Sequence, residues 1–207
     1  MLNAELSPRD DDLLLVIDVQ NDFCSGGALA VPDGESVVPS INRLAAKFAH
    51  VVLTQDWHPP GHQSFASSHP GRRPFERLPL ADGEQTLWPD HCVQDSHGAA
   101  FHPALRIPHA ELILRKGYRR HIDSYSALYE NDRRTPTGLA GYLRERGFRR
   151  LFLAGLATDY CVLYSALDAR RQGFAVVLLQ EACRAIDLDG SLDAALAAMR
   201  SAGVELR

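Results

Sequence analysis

LFLAGLATDYCV, residues 151–162, decides the fold. Leu151 to Ala154 is a continuous apolar run of the length of a buried strand. It gives way with almost no linker to a helix expected over about 158–172, which stops at Gly173. A buried strand that feeds a helix directly is the repeating unit of a parallel α/β sheet. Working outward, the same alternation recurs. Leu13 to Ile17 is an apolar run that ends at Asp18, and residues 36–49 read as a helix with Pro39 in its first turn. Val51 to Thr54 and Leu112 to Arg115 are further strands, ending near Asp56 and at Lys116. Residues 137–147 read as a helix with a threonine cap and a terminal glycine. Phe174 to Leu179, a helix over 190–202 and a short strand at 204–206 complete the chain. Continuous apolar strands between helices predict an α/β, three-layer αβα fold, Rossmann-like, with a parallel sheet covered on both faces. The 207 residues suffice for a single domain spanning 1–207.

One segment does not alternate. Residues 57–109 hold eight prolines, most of the histidines and both tryptophans, Trp57 and Trp88, with almost no periodicity. A loop this long in a compact domain is functional or disordered. Its aromatic content favours an ordered active-site and metal-binding loop over about 56–109.

Composition excludes several roles. The formal net charge is -4. The arginine pairs at 119–120, 133–134, 149–150 and 170–171 are short and flanked by acids, so nucleic acid is not an expected partner. The polar, acidic start lacks an apolar signal region, and the longest apolar run is far too short to span a bilayer. A soluble, cytoplasmic protein with no membrane partner is expected. The four cysteines, Cys24, Cys92, Cys161 and Cys183, have neither disulfide-framework nor zinc-finger spacing.

Ligands of open parallel sheets bind beyond the carboxyl ends of the strands. Asp18, Asp56, Lys116 and Cys161 all fall there by this reading. Cys161 lies in the first turn of a helix expected to be capped by Thr158 or Asp159. The free amides of that turn favour a thiolate and can serve as an oxyanion hole. A buried structural cysteine is the competing reading. Lys116 at a strand mouth can pair with Asp18, or else be a snorkelling surface lysine. Asp18 is a candidate general base, and Asp22 is better placed as a turn or cap residue.

The segment Asp56-Trp57-His58-Pro59-Pro60-Gly61-His62, with His91 and His97 downstream, offers mixed nitrogen and oxygen donors. Such a set suits one divalent zinc, iron or manganese ion rather than calcium or magnesium. Chance clustering of histidines is the alternative. A metal of this kind can hold a pyridine nitrogen, with Phe23, Trp88 and Tyr125 stacked around a flat ring.

Together LLLVIDVQNDFCSGGALAV, VVLTQDWHPPGHQSF, LWPDHCVQ, ILRKG with DSYSAL, and GLATDYCV resemble the nicotinamidases (pyrazinamidases) of the isochorismatase-like cysteine hydrolase superfamily. The resemblance runs from residue 13 to about 183. It implies a six-stranded parallel sheet. It also implies hydrolysis of nicotinamide to nicotinate and ammonia in NAD salvage, through a cysteine thioester, with pyrazinamide as a side substrate. By position it implies Asp18, Lys116 and Cys161 as the catalytic triad. Asp56, His58 and His91 match metal ligands, zinc first, and His62 is a candidate fourth ligand or supporting group. A cis peptide at Leu156–Ala157 is implied to aim the Ala157 and Cys161 amides at an oxyanion. Phe23, Leu29, Trp88, Tyr125, Leu156, Ala157 and Tyr160 match or adjoin the substrate pocket. His97 and the other three cysteines have no counterpart. Two other readings stay open at this stage: a metal-independent superfamily amidohydrolase for ureido or carbamoyl amides, and a non-catalytic ligand-binding protein on the same fold. The oligomeric state is also open.

Overall fold

A computed structural model of the chain describes residues 6–80 and 83–207. Six strands form one sheet: β1 (Asp12–Ile17), β2 (Val51–Asp56), β5 (Leu112–Lys116), β6 (Arg150–Leu156), β7 (Ala175–Arg184) and β8 (Glu205–Leu206). Their order is β5-β2-β1-β6-β7-β8, and every pair is parallel. The chain builds outward from β1 to one edge, then returns to the other side of β1. The strand order therefore reverses between β1 and β6, and a crevice opens there at the carboxyl ends.

Burial explains the order. Every residue of β1 and β2 is buried, as is all of β6 after its first residue. These continuous apolar runs have no face to offer water and must be central. β5, at the edge, alternates half-buried and exposed residues until Lys116. Side-chain alternation splits β1 between two cores. Leu14 and Val16 pack with Val37, Val38 and Ile41 of helix α1 (Val37–Ala45). Leu13, Leu15 and Ile17 pack on the opposite face with helices α2 (Leu139–Glu145), α3 (Leu163–Arg171) and α4 (Ser191–Ser201). Close contact of β1 with β6 needs Gly155, because a Cβ there would meet the Ile17 carbonyl oxygen at 2.0 Å.

The elements differ from expectation at their ends. α1 stops at Ala45, where the Lys47 and Phe48 amides turn back to Leu44 and Ala45 in a tight terminal turn. β7 runs ten residues, five of them beyond Leu179 where the apolar run ends, because a bulge between Leu153 and Gly155 lets it keep pairing with β6 as far as Arg184. The long loop, expected to lack secondary structure, contains an antiparallel pair, β3 (Arg77–Leu80) with β4 (Gly83–Thr86). Its strands are short and largely exposed, so they carry little periodic signal.

The segment expected as one helix over 158–172 begins as a π-helical turn, Thr158–Val162, before α3. Ala157, not Thr158 or Asp159, occupies its cap, and the Ala157 carbonyl accepts the Tyr160 and Val162 amides. The Asp159 carboxylate is engaged elsewhere, by the Ile186 and Asp187 amides and the Ser191 hydroxyl. Thr137 behaves more nearly as expected, its hydroxyl oxygen accepting the Leu139 amide at the start of α2.

Candidate active site and metal centre

Lys116 organises the crevice. Its strand is at the sheet edge, but the side chain is fully buried, with the ammonium 2.9 Å from Asp18 Oδ2 and 2.5 Å from Asp56 Oδ1. It also donates to the Ser124 carbonyl at 2.9 Å and lies 3.4 Å from Cys161 Sγ. A buried ammonium is tolerated only with such partners. Burial alone would lower its proton affinity, but the two carboxylates more than reverse this and hold it well above the ordinary lysine range.

Asp18 follows β1 in a left-handed conformation, φ 49°. Thr54 on neighbouring β2 fixes it twice: the hydroxyl donates to Oδ1 at 2.6 Å and accepts the Asp18 amide at 3.2 Å. Oδ2 has no hydrogen-bond donor aligned on it, although Lys116 Nζ is close enough to pair with it electrostatically. Burial, aided by the Asp56 charge, raises the Asp18 carboxyl above its usual range against the pull of Lys116. An oxygen so placed is equipped to take a proton.

Cys161 is buried beside it: ligand atoms of Asp18, Asp56 and Cys161 lie within 4.8 Å of one another. The expectation of a helix-favoured thiolate is not met. Burial first, then the two carboxylates, raise the thiol well above its ordinary 9.0, with Lys116 opposing. This environment favours the thiol over the thiolate and gives a neighbouring base such as Asp18 a proton to take. The Leu156–Ala157 peptide preceding this turn is cis.

Asp56, His58 and His91 form the second half of the site. Asp56 Oδ2 lies 3.7 Å from His58 Nε2 and 3.9 Å from His91 Nε2. His58 Nδ1 donates to the Gly117 carbonyl at 2.9 Å and His91 Nδ1 to the Pro89 carbonyl at 2.8 Å. In the neutral rings these bonds leave both Nε2 lone pairs facing a carboxylate oxygen. Burial, with repulsion from His58, lowers His91 to about 4, the neutral state a ligand needs. Burial also pulls His58 down, but Asp56 outweighs it and raises the net value. Three converging electron-pair donors, Asp56, His58 and His91, buried together beside the Lys116 ammonium, fit a divalent cation.

His62 stacks behind His58, ring centroids 4.3 Å apart. Its Nδ1 meets the Ser64 hydroxyl at 2.7 Å and its Nε2 donates to the Arg119 and Ile122 carbonyls. With both nitrogens engaged, it supports His58 rather than presenting a free lone pair. His97 contacts Asn21 at the surface, outside the cleft.

The cleft between these halves is lined by Phe23, Leu29, Trp88, Tyr125, Ala157 and Tyr160 together with Asp56, His58, His91 and Cys161. Trp88 and Tyr160 meet edge to face at 4.8 Å, as do Tyr125 and Tyr160 at 5.6 Å. Leu156, expected at the pocket, is instead packed in the core under α1 and does not reach the cleft. Asp18 and Lys116 lie behind the lining. Two lining residues escaped the sequence reading, Asp123 and Ile186. Asp123 opens DSYSAL, and nothing in a polar loop marks one acid as buried. Asp22, read as a turn residue, accepts the Cys92 and Ala28 amides and ties two loops together.

The isochorismatase domain profile matches residues 12–207. A nicotinamidase of Acinetobacter baylyi is 49% identical over 99% of this chain and 96% of its own. Among solved structures, the nicotinamidase/pyrazinamidase of Acinetobacter baumanii superposes with a TM-score of 0.95 at 53% identity, covering 96% of each chain. PnC1 from L. infantum in complex with nicotinate gives 0.85 at 39% identity, over 98% of this chain and 95% of that one. The pyrazinamidase of Pyrococcus horikoshii in complex with zinc gives 0.78 at 34%, over 95% and 98%.

Proposed function

This chain belongs to the isochorismatase family, and from that premise we propose that it hydrolyses nicotinamide to nicotinate and ammonia, as a single catalytic domain. One observation carries the reading: a single buried ammonium, Lys116, touches the base Asp18, the sulfur of Cys161 and the metal-type ligand Asp56 at once. A nucleophile and a ring-nitrogen anchor thereby face the same small aromatic cleft. Relatives of this length and likeness are named nicotinamidases, and no helix among the described residues is long and apolar enough to cross a membrane.

In this mechanism the carboxamide carbon lies against Sγ of Cys161. Asp18 Oδ2 accepts the thiol proton as sulfur attacks. The Ala157 and Cys161 amides stabilise the oxyanion. Asp18 passes the proton to the nitrogen, the C–N bond breaks, and ammonia leaves. Water then adds to the thioester, giving its proton to Asp18, and the departing thiolate recovers that proton as the acid is released. Lys116 stays protonated throughout and keeps Asp18 and Cys161 in register. Asp56, His58 and His91 would hold a divalent metal, zinc by preference, which when bound supplies a Lewis-acidic anchor for the pyridine nitrogen. His62 holds the His58 ring from behind. Pyrazinamide, with a ring nitrogen in the corresponding place, is a side substrate on this reading.

Ammonia release from nicotinamide, measured with and without a chelator, tests the proposal. Turnover that chelation abolishes and zinc restores is expected. Inertness toward nicotinamide, with activity on a ureido or carbamoyl amide, would overturn it.

A further inference from the structure

Among the described residues of the exposed hairpin, Gln85 alone is buried, 3% exposed. Its Nε2 lies 2.8 Å from Asp123 Oδ2, 3.0 Å from the Tyr125 hydroxyl and 2.8 Å from the Thr86 carbonyl. A carboxylate and a carbonyl only accept, so the end of the amide facing them is the nitrogen. Trp88 Nε1 donates to the same Tyr125 oxygen at 3.1 Å. Two N–H groups serve three acceptors, so the Tyr125 oxygen shares the amide with Asp123 and Thr86 at 3.0 Å while Trp88 supplies it a donor of its own, and contact from two directions restricts the ring. Asp123, Tyr125 and Trp88 all line the cleft, whereas Gln85 stands behind them. The hairpin is therefore fastened to the aromatic wall through the Gln85 side chain.

We propose that Gln85 is a positioning and specificity residue. By fixing Tyr125 and Asp123 it keeps the cleft a narrow slot for one flat, unsubstituted aromatic amide. It touches no reacting atom, so its loss loosens the slot without removing the nucleophile or the metal ligands. The inference rests on the nicotinamide reading and adds to it a determinant of substrate shape.

The test uses the metal-loaded full chain carrying Gln85→Leu, which keeps the bulk and deletes the donors. Nicotinate affinity is measured by calorimetry, KM and kcat with nicotinamide, and selectivity as the kcat/KM ratio of nicotinamide to 5-methylnicotinamide. KM and the nicotinate Kd are expected to rise about tenfold, or about 1.4 kcal/mol. We expect kcat to stay within about threefold, metal content to be unchanged, and the selectivity ratio to fall at least about fivefold. Glu84→Ala, on the exposed side of the same strand, is the control and should behave as wild type. Wild-type KM and selectivity in Gln85→Leu, or a fall in kcat alone, would overturn the inference. If Gln85→Leu does not fold, Gln85→Asn takes its place; a raised KM with reduced selectivity supports the inference, and wild-type values refute it. A wild-type protein inert toward nicotinamide would instead sink the substrate reading, and the inference with it.

Discussion

The ammonium of Lys116 lies 2.5 Å from Oδ1 of Asp56, while Oδ2 of the same carboxylate faces His58 and His91. One carboxylate thus joins the group that would hold a metal to the group that would do the chemistry. Replacing Lys116 by Met removes the shared cation and leaves Asp18 and Asp56 buried and uncompensated. Breaking a buried pair in this way costs about 3–5 kcal/mol. Denaturant unfolding of Lys116→Met should show a loss of that order, and nicotinamide turnover should fall at least about a hundredfold. An unchanged unfolding midpoint would mean that the ammonium is not the centre of this network.

Gly117 follows Lys116 with a φ of 65°, and a Cβ there would lie 2.5 Å from His58 Cε1. Its carbonyl also accepts the His58 Nδ1–H. Gly117→Ala must push the imidazole away from Asp56. Loss of such support to a ligand weakens metal binding about 10–100-fold. Zinc titration with a competing chelator measures this directly, and wild-type affinity would refute the role given to the carbonyl.

Cys161 should be a slow alkylation target. Its thiol is held well above 9.0 by burial and by two carboxylates. Iodoacetamide should modify it more slowly than free cysteine at pH 7, with the rate still climbing beyond pH 9. Mass spectrometry of the labelled peptide distinguishes it from Cys24, Cys92 and Cys183, which are also buried thiols. Faster labelling than free cysteine would mean a resting thiolate and would remove the need for Asp18 as base.

Far from the cleft, Asp12 at the start of β1 pairs with Arg150 at the start of β6 through two contacts, 2.8 and 2.5 Å. Burial pushes the Asp12 carboxyl up, but Arg150 and the Arg9 amide outweigh it, and the net value is lowered. A carboxyl depressed in the folded state stabilises fully above its unfolded value, about 3.9. That stabilisation is lost as the pH falls through the folded value. Asp12→Asn should cost about 1–3 kcal/mol at pH 7. The gap between variant and wild type should narrow below pH 4 in urea unfolding series. A gap that does not change with pH would contradict the pairing.

How far the sequence could be read depended on what kind of force placed each residue. β1, β2 and β6 were legible because a strand buried on both faces has to be apolar throughout. Asp18, Asp56 and Lys116 stood out as polar residues at the ends of such runs. The order of strands follows from parallel pairing and crossover geometry, so Cys161 could be expected beside Asp18. The strands at 77–80 and 83–86 were not legible, because they are short and mostly exposed, and Gln85 is their one buried residue among those described. The cap at Ala157 was hidden because it supplies a backbone carbonyl, not a side chain. Asp123 looked like any other loop acid, since burial by distant segments leaves no local mark. The expectation for the Cys161 thiol failed for a related reason: partial charge at a helix start was visible in the sequence, whereas desolvation and two neighbouring carboxylates appear only in three dimensions.

The central claim is that the sulfur of residue 161 attacks a ring amide whose other end is anchored at Asp56, His58 and His91. Cys161→Ala, purified beside the wild type, measures it most directly, with bound zinc and ammonia production determined on the same samples. The account predicts equal zinc content and no detectable ammonia from nicotinamide. Ammonia formed by the alanine variant at near wild-type rate would contradict it.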